Sequence, residues 1–161
     1  MSDILITGAK TALGLRLAKA FEQEQLLLAD YGDVPQLTTA SYRLKSMGAC
    51  KKSALAHQLL ALCLDWGVKL LVPVYLEEMM ALSKSLTLFE EYGIEVLCPK
   101  SDVLQTYLPM QVQADWLVIR NGNLHYSTLP QLQLPDNAAQ NGVFFVDSNA
   151  MKLSLMHAFI A

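Results

Sequence analysis

The residues best placed to do chemistry form one run near the start of the chain, Thr7-Gly8-Ala9-Lys10-Thr11-Ala12-Leu13-Gly14. Between a strand and a helix, such a turn presents backbone N–H groups and the positive end of a helix dipole to an anion such as phosphate. Gly8 and Gly14 stand where a spaced Gly-x-x-Gly-x-x-Gly fingerprint has its first and third glycines, and Thr11 takes the place of the second. That middle glycine normally lets backbone approach a pyrophosphate, so its loss weakens the case for a dinucleotide. Asp30 follows about 20 residues on, where an acid would hold a ribose. The candidate ligand-binding residues are therefore Gly8, Ala9, Lys10, Thr11, Gly14 and Asp30, with NAD(P) or an adenine nucleotide as the cofactor classes to consider. The competing reading is that Gly8 and Gly14 serve only tight turning and helix–strand packing.

A second run, Pro73-Val74-Tyr75-Leu76-Glu77-Glu78, leaves a strand for a helix. Pro73 joins the candidate set because strand order 2-1-3-4 would set it opposite Gly8, across the switch point where such sheets bind ligands. Glu77 and Glu78 read first as partners of a helix dipole. No catalytic set can be assembled. Tyr42-Arg43-Leu44-Lys45 is one residue too tight for Tyr-x-x-x-Lys, and neither a Gly-x-Ser-x-Gly elbow nor a Gly-Lys-Ser/Thr loop occurs. Cys50, Cys63 and Cys98 form no Cys-x-x-Cys pair, and His57, His125 and His157 are too scattered to suggest a metal.

The elements that must position these residues alternate. Ile4-Leu5-Ile6 and Leu26-Leu27-Leu28-Ala29 read as buried strands flanking a helix over about 11–23, a βαβ unit. The segment Tyr31–Lys52 reads as turn and irregular chain. A helix capped by Ser53 and running to Trp66, a strand over Val68–Pro73, a helix over Leu76–Tyr92, a strand over Ile94–Leu97 and a short helix from Ser101 complete the series. Such alternation predicts an α/β fold, a Rossmann-like doubly wound parallel sheet of order 2-1-3-4 over residues 3–108. Residues 109–161 change character within the same single domain. Trp116–Arg120 and Asn123–Ser127 around Asn121-Gly122 predict a hairpin, and Val143–Val146 a strand. Asp147-Ser148-Asn149 would cap a last helix reaching Ile160. That helix would be apolar almost all round, which predicts burial in an assembly and hence a homo-oligomer such as a homodimer.

Of the 161 residues, 53% are hydrophobic and 17% charged, with a net charge of −3. Low charge favours a partner or self-association. The absence of a dense Lys/Arg cluster argues against nucleic acid, and no apolar run is long enough for a membrane span. The odd cysteine count and the lack of a basic leader point to a cytoplasmic location.

Several segments together carry a resemblance: Ile4-Leu5-Ile6-Thr7-Gly8-Ala9, the strand ending in Asp30, Leu70-Leu71-Val72-Pro73, Glu77-Glu78, Ala81-Leu82-Ser83-Lys84, Tyr92–Pro99 and Ser101–Leu104. Over residues 3–108 the chain resembles the N-terminal Rossmann-like (pre-ATP-grasp) domain of ATP-grasp ligases of the carbamoyl-phosphate-synthase-like group. The resemblance implies that fold and a small-ligand crevice at Gly8 and Pro73. It does not imply ligase activity, because the residues after Leu108 carry neither the glycine-rich flap nor the paired metal carboxylates of the catalytic module. The function expected is a non-catalytic module binding a small anionic or nucleotide ligand or a partner protein, as in a split or degenerate ATP-grasp system with a separate ATP-grasp partner. The alternatives are an NAD(P)-binding protein resembling short-chain dehydrogenases or epimerases, and a structural oligomer.

Overall fold

In the first two thirds of the chain, strands too short and apolar to face water alternate with helices that cover them. The computed structural model describes residues 3–22, 24–134, 140–149 and 152–160. Strands β1 (Ile4–Ile6), β2 (Leu26–Asp30), β3 (Tyr42–Ser46), β4 (Leu70–Val72) and β5 (Glu95–Val96) form an all-parallel sheet of order β3-β2-β1-β4-β5. This is an α/β fold consistent with a Rossmann-like sheet. Helices α1 (Ala12–Leu17), α2 (Leu55–Trp66), α3 (Leu76–Leu82), α4 (Leu86–Glu91) and α5 (Ser101–Leu104) connect and cover the strands.

Strand periodicity sorts the core into two layers. Leu5, Leu27 and Leu71 face a cluster with Leu59 and Cys63 of α2, Met79 of α3 and Phe89 of α4. Ile4, Ile6, Leu28 and Val72 face the other, with Leu17 of α1 and Phe21. Both faces are covered, which is why these strands read as continuous apolar runs.

A second, antiparallel sheet holds β6 (Trp116–Arg120), β7 (Asn123–Ser127), β8 (Gly142–Asp147) and β9 (Lys152–Leu155) in the order β7-β6-β8-β9. The β6–β7 turn puts Asn121 and Gly122 at φ of 54° and 74°, the left-handed pair that a two-residue hairpin requires. Its central strands β6 and β8 are buried on both faces: Leu117, Ile119 and Phe144 enter one core layer, and Trp116, Val118 and Phe145 the other. The Arg120 Nε donates to Glu95 Oε2 at 2.6 Å, tying β6 to β5.

The structure corrects the sequence reading in four places. The expected terminal helix to Ile160 is strand β9, antiparallel to β8 with Phe144 opposite Leu155 and Val146 opposite Leu153. Its residues lack a polar helical face, but Lys152-Leu153-Ser154-Leu155 satisfies the open edge of β8 through backbone bonds that no periodicity shows. The argument for a homo-oligomer built on that helix falls with it. The segment expected to be irregular contains β3, which adds a fifth strand outside β2 to the four expected. Its Arg43 and Lys45 disguise an edge strand as loop. The expected helix over Leu76–Tyr92 breaks between α3 and α4, where the Ser83 hydroxyl donates to the Met80 carbonyl. Ser53 is not the cap of α2; it lies within a 3-10 turn, Lys52–Ala54, that precedes the helix.

Candidate functional site

Three segments meet at the carboxyl ends of β1, β2 and β4, where the strand order reverses. Gly8 closes the first with a φ of +71°, turning the chain from β1 toward α1. Thr11 caps α1: its hydroxyl accepts from the Gly14 N–H at 3.0 Å and donates to the Gly8 carbonyl at 2.7 Å. The Ala9 N–H donates to the Ala29 carbonyl and the Thr11 N–H to the Gly8 carbonyl. The turn thus spends much of its donor capacity on itself. A side chain at Gly8 would bring its Cβ within 2.8 Å of Val74 Cγ1, so a bulky substitution there disturbs packing before it disturbs any ligand.

Asp30, expected to hold a ribose, is buried and already fully engaged. Its carboxylate accepts from the Lys10 N–H at 2.9 Å, the Tyr31 N–H at 2.8 Å and the Tyr75 hydroxyl at 2.9 Å. The Lys10 ammonium donates to the Tyr31 carbonyl at 2.7 Å. Pro73 is buried at the exit from β4 and offers no polar side-chain group.

Sequence reasoning missed the centre of the site. Glu78, expected to serve the dipole of α3, is buried with 0% exposure. It accepts from the Thr7 hydroxyl at 2.6 Å and the Tyr31 hydroxyl at 2.7 Å. The Tyr75 N–H adds a longer contact at 3.4 Å. Thr7 also accepts from the Val74 N–H at 2.8 Å, which joins the ends of β1 and β4. Thr7, Asp30, Tyr31, Tyr75 and Glu78 therefore form two phenol–carboxylate pairs that lock three strand ends together. The available signal was the Tyr75-to-Glu78 spacing, since an acid three residues after a helix cap reaches back to the cap N–H.

Burial pushes the Glu78 carboxyl up to about 7, and the nearby charge of Asp30 acts in the same direction; the bonds from Thr7, Tyr31 and the Tyr75 backbone hold it back. The Tyr31 and Tyr75 phenols are raised as well, by burial first and then by Glu78 and Asp30 respectively. They stay neutral donors at any ordinary pH. Glu78 can exchange a proton near neutrality, but both of its oxygens face protein donors.

The C-terminal segment walls the β4 side. The Ala158 N–H donates to the Val74 carbonyl and the Leu76 N–H to the Ala158 carbonyl, each at 2.9 Å. The Ile160 N–H donates to the Glu77 carboxylate at 3.2 Å, so Glu77 serves this segment.

Cys63 and Cys98 are buried and their thiols pushed up to about 12 by burial; partial burial raises the Cys50 thiol as well, but Cys50 is the one of the three that solvent reaches. Thiolate, not thiol, is the nucleophile. Titration of the folded protein with a chromogenic disulfide at neutral pH is therefore expected to release about one equivalent, slowly and from the accessible Cys50, with the other two reacting only on unfolding. Rapid reaction of two or three would contradict the packing around α2 and β5.

No group of three or more His, Cys, Asp or Glu side chains able to hold a metal occurs among the described residues, and no helix among them is long and apolar enough to cross a membrane. No protein-family model and no curated protein matches this chain.

Proposed function

We propose that the chain is a non-catalytic Rossmann-like binding module that takes a small anionic ligand at the rim of its switch-point crevice. The observation that carries this reading is the mutual engagement of the crevice's reactive groups. Asp30 and Glu78 accept from Tyr75 and Tyr31, which leaves neither carboxylate poised as a base toward a substrate. The exposed Lys10 stands at the same rim and supplies a cation beside the helix start. Asp30 is spent on Lys10, Tyr31 and Tyr75, so a ribose hydroxyl would have to displace a buried hydrogen bond. This favours a simple anion or the phosphate of an adenine nucleotide over NAD(P).

The resemblance to the domain preceding the catalytic module of ATP-grasp ligases supports the same reading. Residues that carry it, Thr7, Asp30, Pro73 and Glu78, converge at the ends of β1, β2 and β4. In this proposal the module works alongside a separate catalytic partner, as in a split ATP-grasp system.

Calorimetric titration of the full chain with ATP, ADP, NAD, NADP and inorganic phosphate tests the reading. At least one anion should bind, and Lys10→Met should weaken it by about tenfold or more. Binding that is indifferent to Lys10→Met, or turnover of any of these compounds by the pure protein, would overturn it.

A further inference from the structure

β5 is the last strand on its side of the parallel sheet, and among the described residues no strand pairs with its outer edge. The Glu95 and Leu97 N–H groups donate to the Lys69 and Leu71 carbonyls at 2.8 and 3.0 Å, so both residues turn their backbone toward β4. By strand alternation, the Ile94 carbonyl and the Val96 N–H point the other way. Beside this strand lies a cleft of about 870 Å³, whose lining includes Gly93, Ile94, Glu95 and Val96. That volume falls within the roughly 300–1,000 Å³ of small-molecule sites.

Its walls are held in place by bonds of their own. The Gly122 N–H donates to Asn141 Oδ1 at 3.3 Å, joining the β6–β7 turn to the residue before β8, and the Arg120–Glu95 pair ties β6 to β5. The Val103 and Leu104 N–H groups donate to the Lys100 carbonyl at 3.1 and 2.9 Å, which fixes the start of α5. The charges of the lining are balanced and unspent. Lys84 and Lys100 stand against Glu90 and Asp102, all four exposed. Among the described residues none of the four makes an ion pair or a side-chain hydrogen bond. The remaining acid, Glu95, is already matched by Arg120. A phosphate ester would meet as many free acids as lysines there. No aromatic ring lines the cleft either, so a nucleotide base finds nothing to stack on.

We propose that this cleft is a binding site for a short peptide with free amino and carboxyl ends, laid along the outer edge of β5. Such a ligand carries one charge of each sign, which is what the lining leaves unpaired. Its carboxylate is taken by Lys84 and Lys100 and its ammonium by Glu90 and Asp102. Between the ends, a residue in parallel register donates its N–H to the Ile94 carbonyl and accepts from the Val96 N–H, as one further rung of the sheet. A single amino acid supplies the charges but not the rung. The site is independent of the Lys10 rim and of what binds there.

The test is calorimetric titration of the full chain at low salt and neutral pH with trialanine. Acetylating its amino end or amidating its carboxyl end should each weaken binding by about tenfold or more. Methylating the nitrogen of its central residue removes the donor to Ile94 and should weaken it about threefold or more. Lys84→Met combined with Lys100→Met should weaken trialanine by about tenfold but leave the weaker binding of its amide unchanged. Glu90→Gln combined with Asp102→Asn should act likewise, with the acetylated peptide as the unchanged partner. All four side chains are exposed and unpartnered among the described residues, so these variants keep the fold. Lys10→Met should leave trialanine binding as it is. Absence of trialanine binding, equal binding of the doubly blocked or centrally methylated peptide, wild-type affinity in both paired variants, or loss in Lys10→Met would each overturn the assignment. None of these results bears on whether an anion binds at the switch-point rim.

Discussion

Replacing Gly14 with alanine is expected to lower folding stability by about 2–3 kcal/mol, although glycine-to-alanine changes inside helices usually stabilise by about 1 kcal/mol. A Cβ at Gly14 would lie 2.3 Å from the Gly8 carbonyl oxygen, 2.9 Å from its carbon and 3.1 Å from the Thr7 oxygen. All three are backbone atoms of the β1–α1 turn, so no rotamer change relieves the contact. Either α1 lifts off the sheet or the turn opens, and the second course breaks the bonds from Ala9 and Thr11. Gly48→Ala is the matched control. Its φ is +76° but nothing lies within 4 Å of its Cβ, so only the left-handed conformation is penalised, by about 1 kcal/mol. Urea unfolding of both variants, read as midpoint at constant slope, gives the comparison. A Gly14→Ala protein as stable as wild type would mean that α1 does not sit as close to β1 as described.

The second large effect lies at Glu78. Removing its side chain with Glu78→Ala should cost about 3–5 kcal/mol, because the Thr7 and Tyr31 hydroxyls and the Tyr75 N–H lose their shared buried acceptor. Glu78→Gln keeps an acceptor and should cost less. The carboxyl also gives stability a pH dependence whose sign is opposite to that of an ordinary salt-bridged acid. Its value in the folded chain is raised from 4.5 to about 7. Between those values the folded state binds the proton more tightly than the unfolded state, so stability falls as pH rises. The contribution is fully present below about 4.5 and lost by the time pH passes 7. It amounts to up to about 3 kcal/mol. Unfolding midpoints measured across this window should decline for the wild type, with that component absent in Glu78→Gln. Parallel profiles for the two proteins would show that Glu78 is not the buried proton-binding group.

These two residues show how unevenly the site was legible. Gly14 was readable because a glycine at that distance from a strand end has a mechanical reason to be there: helix and strand must nearly touch. Asp30 was readable as an acid at the end of β2, but its partners were not. Tyr75 lies 45 positions from Asp30 and Tyr31 lies 47 from Glu78, so each phenol reaches its carboxylate through no local pattern. Glu78 was misread for the same reason. An acid in a first helical turn ordinarily serves the dipole in water, and only the packing of α3 beneath the β1 and β2 ends turns this one inward.

What the sequence by itself determined is what local physics can determine. Apolar runs bounded by turn residues placed β1, β2, β4 and β5 in an α/β fold, and Asn121-Gly122 placed the hairpin, because left-handed turn geometry depends on the residues in the turn. Tertiary structure alone decided the rest. Lys152–Leu155 is a strand because β8 leaves an edge to be paired, and Tyr42–Ser46 is a strand because β2 does the same. Strand pairing takes its free energy from a partner distant in sequence, and a segment weak in local preference adopts the state that its partner requires.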